Sequence, residues 1–207
     1  GYDVSTGAKA PFHDHDAFRA LDPATFTESP ARYGFHATLK APFELADGES
    51  EAGLLKAVDH LAGRLASVDL GPMGVSELGR FLALTPRGTT TAVDQLAQSC
   101  VRALEPYRAP LSPGDLSRRL AAPLTTRQTA YVERFGYPYV FDEFRFHMTL
   151  TGPIADDEQR SKVRNALTEL YAPLDQAHRI EALTVCRQPD RAARFQVLSR
   201  HQLLKVG

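Results

Sequence analysis

Two stretches of this chain, Phe35-His36-Ala37-Thr38-Leu39 and Phe146-His147-Met148-Thr149-Leu150, carry the same pattern, and the segments after them match too. A proline stands six residues after each histidine, at Pro42 and Pro153, followed by a short acidic loop and a run of apolar residues at helical spacing. Beyond each run comes Arg-Phe-x-x-Leu-Thr/Ser, at Arg80 to Thr85 and again at Arg194 to Ser199. One shared tetrapeptide would be weak evidence. Motif, terminator, helix and later strand in one order indicate an internal duplication, and a duplication decides the architecture. Two similar lobes about a pseudo-two-fold axis are expected, with the motif strands side by side at the centre and both histidines facing one cleft.

Alternation of polar or small residues with apolar ones predicts strands over Tyr33 to Leu39 and Arg145 to Thr151. Residues two apart on a strand share a face. His36, Thr38 and Lys40 are therefore expected on one face, with Phe35, Ala37 and Leu39 toward the core. His147 and Thr149, flanked by Arg145 and Thr151, repeat the arrangement against Phe146, Met148 and Leu150. Apolar spacing predicts helices over Glu49 to Ser67, about Thr91 to Leu104 and about Asp156 to Tyr171. Further strands are expected near Val75 to Leu78, Arg80 to Thr85, Ile180 to Arg187 and Arg194 to Leu198. The first thirty residues lack a period, and Phe12, Phe18 and Leu21 are their expected core anchors.

On this reading lobe one spans about 31–105 and lobe two about 141–207, within a single domain. The stretch between, about 110–140, reads as a helical insertion. Ser112-Pro113-Gly114-Asp115 is a helix start, and Thr125 with Gln128 has the form of a capping box. The insertion either lies beside a site or connects the lobes. Tyr137 and Tyr139, flanking Pro138 before the second motif, are candidates to stack on a sugar or base, with core or lid packing as the alternative.

Histidine titrates near neutrality, so a pair can supply one proton acceptor and one donor at the same pH. Threonine hydroxyls donate to phosphoryl oxygens without adding charge, and Lys40 and Arg145 can offset the charge of a phosphate. The pattern points to cleavage of a phosphodiester with His36, His147, Thr38 and Thr149 as catalytic residues. Lys40, Arg145, Thr151, Tyr137 and Tyr139 are the expected substrate contacts. No metal and no cofactor is required. His13, His15, His60, His178 and His201 are read as ordinary surface or core histidines, and the His13-Asp14-His15 cluster lacks the carboxylate or cysteine partners of a metal site.

A formal net charge of −1 argues against a broad nucleic-acid surface but not against a small phosphorylated substrate held by a few cations. Cys100 and Cys186 stand far apart, without the spacing of a zinc site or redox pair, and read as two packed thiols. No apolar run is long enough to span a bilayer and nothing resembles a signal peptide, so a cytoplasmic location is expected.

At Arg32 to Phe43 and Asp142 to Gly152 the chain resembles the two-histidine (2H) phosphoesterase superfamily, defined by two His-x-Thr/Ser motifs. It is most similar to the branch found with bacterial phosphonate-utilisation genes, a likeness also carried by Arg108-Ala109-Pro110-Leu111-Ser112 and Phe135 to Tyr139. The resemblance implies an α+β fold of two lobes, with antiparallel strands lining a central cleft and helices outside. It also implies a strand before Gly1, which this sequence does not contain. Activities in the superfamily act on cyclic phosphodiesters and on 2′-5′ linkages. Hydrolysis of a small cyclic phosphodiester, first among them a ribose phosphate bearing a 1,2-cyclic phosphate, is the expected function. The alternatives are processing of 2′,3′-cyclic phosphates at RNA ends, and a non-catalytic phosphosugar- or nucleotide-binding module.

Overall fold

The computed structural model describes residues 2–12, 18 and 21–205; His13, Asp14 and His15 lie outside them. Most helices begin where a side chain can take up a free amide. Helix α1 (Pro23–Ala31) starts at Asp22, which accepts from the Ala24 amide ahead of a first-turn proline. Helix α2 (Glu51–Ala62) starts at Ser50, which accepts from the Gly53 amide, and buries Val58 and Ala62. Helix α3 (Thr91–Leu104) turns Val93, Leu96, Ala97, Cys100, Val101 and Leu104 inward. The insertion forms α4 (Pro113–Leu120) and α5 (Thr126–Phe135). The latter opens on a complete Thr125–Gln128 capping box and ends at Gly136, whose φ of 73° suits glycine. Helix α6 (Asp157–Leu170) is capped by Asp156.

The strands are β1 (Val68–Gly71), β2 (Met73–Leu78), β3 (Phe81–Pro86), β4 (Met148–Thr149), β5 (His178–Ile180), β6 (Ala182–Arg187) and β7 (Gln196–Gln202). They pair antiparallel as β1-β5, β2-β3-β4 and β6-β7, giving an α+β fold. One face of β2-β3 carries Met73, Leu82 and Leu84 into a continuous core with Val93, Val163 and Leu167. That burial, not the short ladders, is the main term holding the hairpins in place. Strands β1 and β5 escaped the sequence reading because each is four residues or fewer, too short for its alternation to stand out.

The sequence halves interleave. Helix α2 packs against β6 and β7, α6 packs against β2, and β4 from the second half extends the β2-β3 hairpin of the first. The crossing point is the β1-β5 ladder, where Val68 faces Ile180 and each chain segment passes to the opposite hairpin. Runs 31–105 and 141–207 are thus sequence units, each of which contributes to both sides of the molecule.

Both motif strands are shorter than their alternation suggests. Gly34, at φ 71°, turns the chain just before the first motif, and pairing begins only at Ala37. Phe35 therefore precedes the ladder and is 50% exposed rather than buried, stacked on Tyr171 at 6.5 Å. The expected anchor Phe12 is also exposed, whereas Phe18 and Leu21 pack against the core. Cys186 is exposed and Cys100 buried, so only the second fits the reading as a packed thiol.

Candidate active site

Met148 sits between two partners. On one side β4 pairs with β3, Leu84 facing Met148 and Ala83 facing Thr149. On the other, Ala37 forms an antiparallel bridge with Met148. Moving one residue each way from that bridge sets His36 across from Thr149 and Thr38 across from His147. Residues directly opposite in an antiparallel pair share a face. Ala37 and Met148 occupy the core side, so the two histidines and two threonines occupy the other, as a two-by-two block with the histidines on one diagonal. Diagonal neighbours of this kind stand roughly 7–8 Å apart at their backbones.

Both imidazoles are held alike. His36 Nδ1 lies 3.1 Å from the Gly34 carbonyl, and His147 Nδ1 lies 2.7 Å from the Arg145 carbonyl, in each case two residues back. A carbonyl only accepts, so each Nδ1 donates, which leaves Nε2 of each ring as the nitrogen not engaged by the backbone. The Thr38 hydroxyl lies 3.0 Å from His36 Nε2. The Phe81 ring stands 5.9 Å from the His147 ring, and Tyr33 stands 6.5 Å from the His36 ring. Each of the two histidines thus has an aromatic flank.

The structure separates the other expected contacts. Arg145 is exposed and makes no ion pair among the described residues. Lys40 is drawn away: its side chain is 9% exposed, its Nζ lies 2.8 Å from Glu105, and it covers the Phe43 ring. The chain bends at Leu39 and Lys40, so the strand parity that aligned Lys40 with His36 ends there. Burial pushes the Lys40 ammonium below the ordinary lysine range despite the opposing pull of Glu105. Thr151 is fully buried, and its hydroxyl accepts from the Leu82 amide at 3.0 Å. It substitutes for a ladder carbonyl where β4 ends, which excludes it from substrate. The ring contacts of Tyr137 and Tyr139 are with one another, edge to face at 5.5 Å, and of Tyr137 with Arg119 of α4. Burial raises the Tyr137 phenol above its usual value.

Sequence reasoning missed residues that only pairing reveals. Thr85 stands across from His147 by the β3-β4 register, and its hydroxyl meets that of Ser76 at 2.6 Å on the same face. Beside Thr149 a cavity of about 250 Å³ opens between Phe12, Phe26, Phe35 and Tyr171. A Ser199–His201–Asp59 chain, with contacts of 2.9 and 3.0 Å, ties β7 to α2.

A family model described as "Protein of unknown function (DUF1045)" matches residues 38–196, from Thr38 through the whole second motif. The chain belongs to this family. It is also similar to two proteins named ribose 1,5-bisphosphate phosphokinase PhnN. That of Janthinobacterium sp. (strain Marseille) is 38% identical over 176 residues, which are 83% of this chain and 39% of the relative. That of Laribacter hongkongensis (strain HLHK9) is 34% identical over 177 residues, 86% of this chain and 41% of the relative. The chain therefore spans about two-fifths of the length of these curated relatives. No helix among the described residues is long and apolar enough to cross a membrane.

Proposed function

We propose that this chain is a two-histidine phosphoesterase that opens a small cyclic phosphodiester without a metal ion. The observation that carries the reading is the Ala37–Met148 bridge, which gathers His36, Thr38, His147 and Thr149 on one face. With the phosphate over the block, one Nε2 removes a proton from the attacking water. The water oxygen bonds to phosphorus, the ring P–O bond breaks, and the protonated imidazole opposite donates to the leaving oxygen. Thr38 and Thr149 donate to the non-bridging oxygens as charge gathers on them. Placing attacking water, phosphate and acid in line supplies the rest of the rate enhancement.

The relatives' name supports a ribose phosphate as the substrate class. Opening a 1,2-cyclic phosphate on ribose 5-phosphate at the P–O2 bond yields ribose 1,5-bisphosphate, the compound in that name, and phosphonate breakdown is the context in which the resemblance sets it. A kinase reaction fits this chain less well. The sequence contains no Gly-x-x-x-x-Gly-Lys-Ser/Thr loop to cradle nucleotide phosphates, and the match covers the smaller part of the relatives. The aromatic cavity beside Thr149 supports a second reading, a nucleoside 2′,3′-cyclic phosphate with its base in that cavity.

The test is a hydrolysis assay with ribose 5-phosphate 1,2-cyclic phosphate, 2′,3′-cyclic nucleotides and linear diesters, each with and without chelator. Turnover of the first that survives chelation supports the leading reading. Preference for the cyclic nucleotides supports the second, and turnover of none rejects both.

A further inference from the structure

We propose that Arg87, with Arg145, holds a second phosphate of the substrate beside the one that is cleaved; the assignment rests on the hydrolase reading above. Gly74 pairs with Thr85 in the β2-β3 ladder, and Thr85 stands across from His147, so Gly74, Thr85, His147 and Thr38 form one row on the histidine face. The Arg87 guanidinium lies where a side chain at position 74 would be. A Cβ there would stand 2.6 Å from Arg87 Nε and 2.9 Å from its Cζ. Glycine is what lets the planar cation rest on the sheet, two strand spacings or about 10 Å from His147.

Arg145 approaches the same edge from the other side. It stands two residues before His147 and ahead of β4, which runs antiparallel to β3, so it lies toward the end of β3 that continues to Arg87. Arg87 itself follows Thr85 by two residues, its amide still paired with the Pro72 carbonyl, roughly 7 Å along the strand and about the span of a pentose between its phosphates. Both arginines are exposed. The carboxylate on Arg87 is Asp175, at 3.4 Å, with both side chains about half exposed, a contact that contributes little. Two guanidinium forks on one rim match the oxygens of a phosphomonoester. The other repeat offers no equivalent, because Arg87 corresponds to His201, which is tied to Ser199 and Asp59. Lys40, past the bend that ends the first motif strand, is committed to Glu105. The clamp therefore sits at one end of the face and orients the substrate: ring phosphate over the histidines, terminal phosphate at the arginines.

The test uses the full chain and two substrates, ribose 1,2-cyclic phosphate with and without a 5-phosphate, in wild type, Arg87→Gln, Arg145→Gln and Gly74→Ala. The wild type is expected to prefer the 5-phosphorylated ring. Arg87→Gln should cut that preference roughly 10- to 100-fold, mostly through KM, as loss of a charge-assisted contact does. Gly74→Ala should cut it too, because it displaces the guanidinium while leaving the charge. A preference unchanged in Arg87→Gln overturns the proposal. If wild type turns over neither ring, calorimetric binding of ribose 5-phosphate decides. Binding weakened in Arg87→Gln keeps the clamp and rejects the hydrolase reading, whereas equal titrations for both proteins reject the clamp.

Discussion

Ala37 lies across from Met148 in an antiparallel bridge, and that pairing decides which polar side chains meet. A shift of one residue would turn the histidines of one strand toward the core and its apolar residues toward solvent. Burial of Phe146 and Leu150 opposes such a slip, so the core fixes the register that sets His36, Thr38, His147 and Thr149 on one face.

Thr38 and Thr149 serve the transition state in this account. Thr149→Val is expected to lower kcat about 100-fold, the loss typical of one oxyanion donor, with little change in KM. Steady-state kinetics on a cyclic phosphate measures it; a change confined to KM would make Thr149 a ground-state contact instead.

Thr151 separates structure from catalysis. Thr151→Val leaves the buried Leu82 amide without an acceptor and should cost about 1–3 kcal/mol in urea unfolding. The kcat/KM of the folded fraction should stay within about two-fold, far below the effect of one lost oxyanion donor. A large kinetic loss at unchanged stability would restore Thr151 to the substrate site.

Glu105→Gln strands the Lys40 ammonium in a buried position and should destabilise the fold by roughly 3 kcal/mol near neutral pH. Lys40 has a folded pKa below its ordinary value, so the unfolded chain holds that proton to higher pH and stability rises through the window between the two. The deficit of the variant should therefore shrink as pH approaches the ordinary lysine range. Denaturant melts at pH 7 and pH 10 check this, and a deficit that does not change between them would refute the assignment.

Asp115 joins α4 to the β6-β7 turn by accepting from both Arg191 nitrogens at 2.9 and 2.6 Å. Arg191, with Ser112 and Arg118, holds its carboxyl well below the usual aspartate range. A depressed carboxylate stabilises fully above its unfolded value and loses that contribution as pH falls through the folded one. Asp115→Asn should lower the melting temperature at neutral pH, and the gap to wild type should close on acidification.

Much of the framework was legible because it rests on local chemistry. The Thr125–Gln128 box, the Thr91–Leu104 helix and the repeated His-x-Thr strands announce themselves within a few residues. The rest depended on partners far along the chain. Lys40 shares the parity of His36, but nothing nearby in sequence shows that the strand ends at a bend or that Glu105 waits beneath it. Thr151 repeats the alternation and yet serves Leu82. Arg87 and Gly74 carry no motif, and their relation to His147 exists only through two ladders. The exchange of helices between halves was likewise hidden, since duplication reveals two units but not which surfaces they share.

The most direct measurement is turnover of a cyclic phosphodiester by His36→Ala and by His147→Ala, each confirmed folded by its unfolding transition. Acid and base act in one step, so each change alone should remove about 10²–10⁴-fold of kcat, and the double variant should be scarcely slower than either. Full activity in either single variant would contradict the two-histidine account.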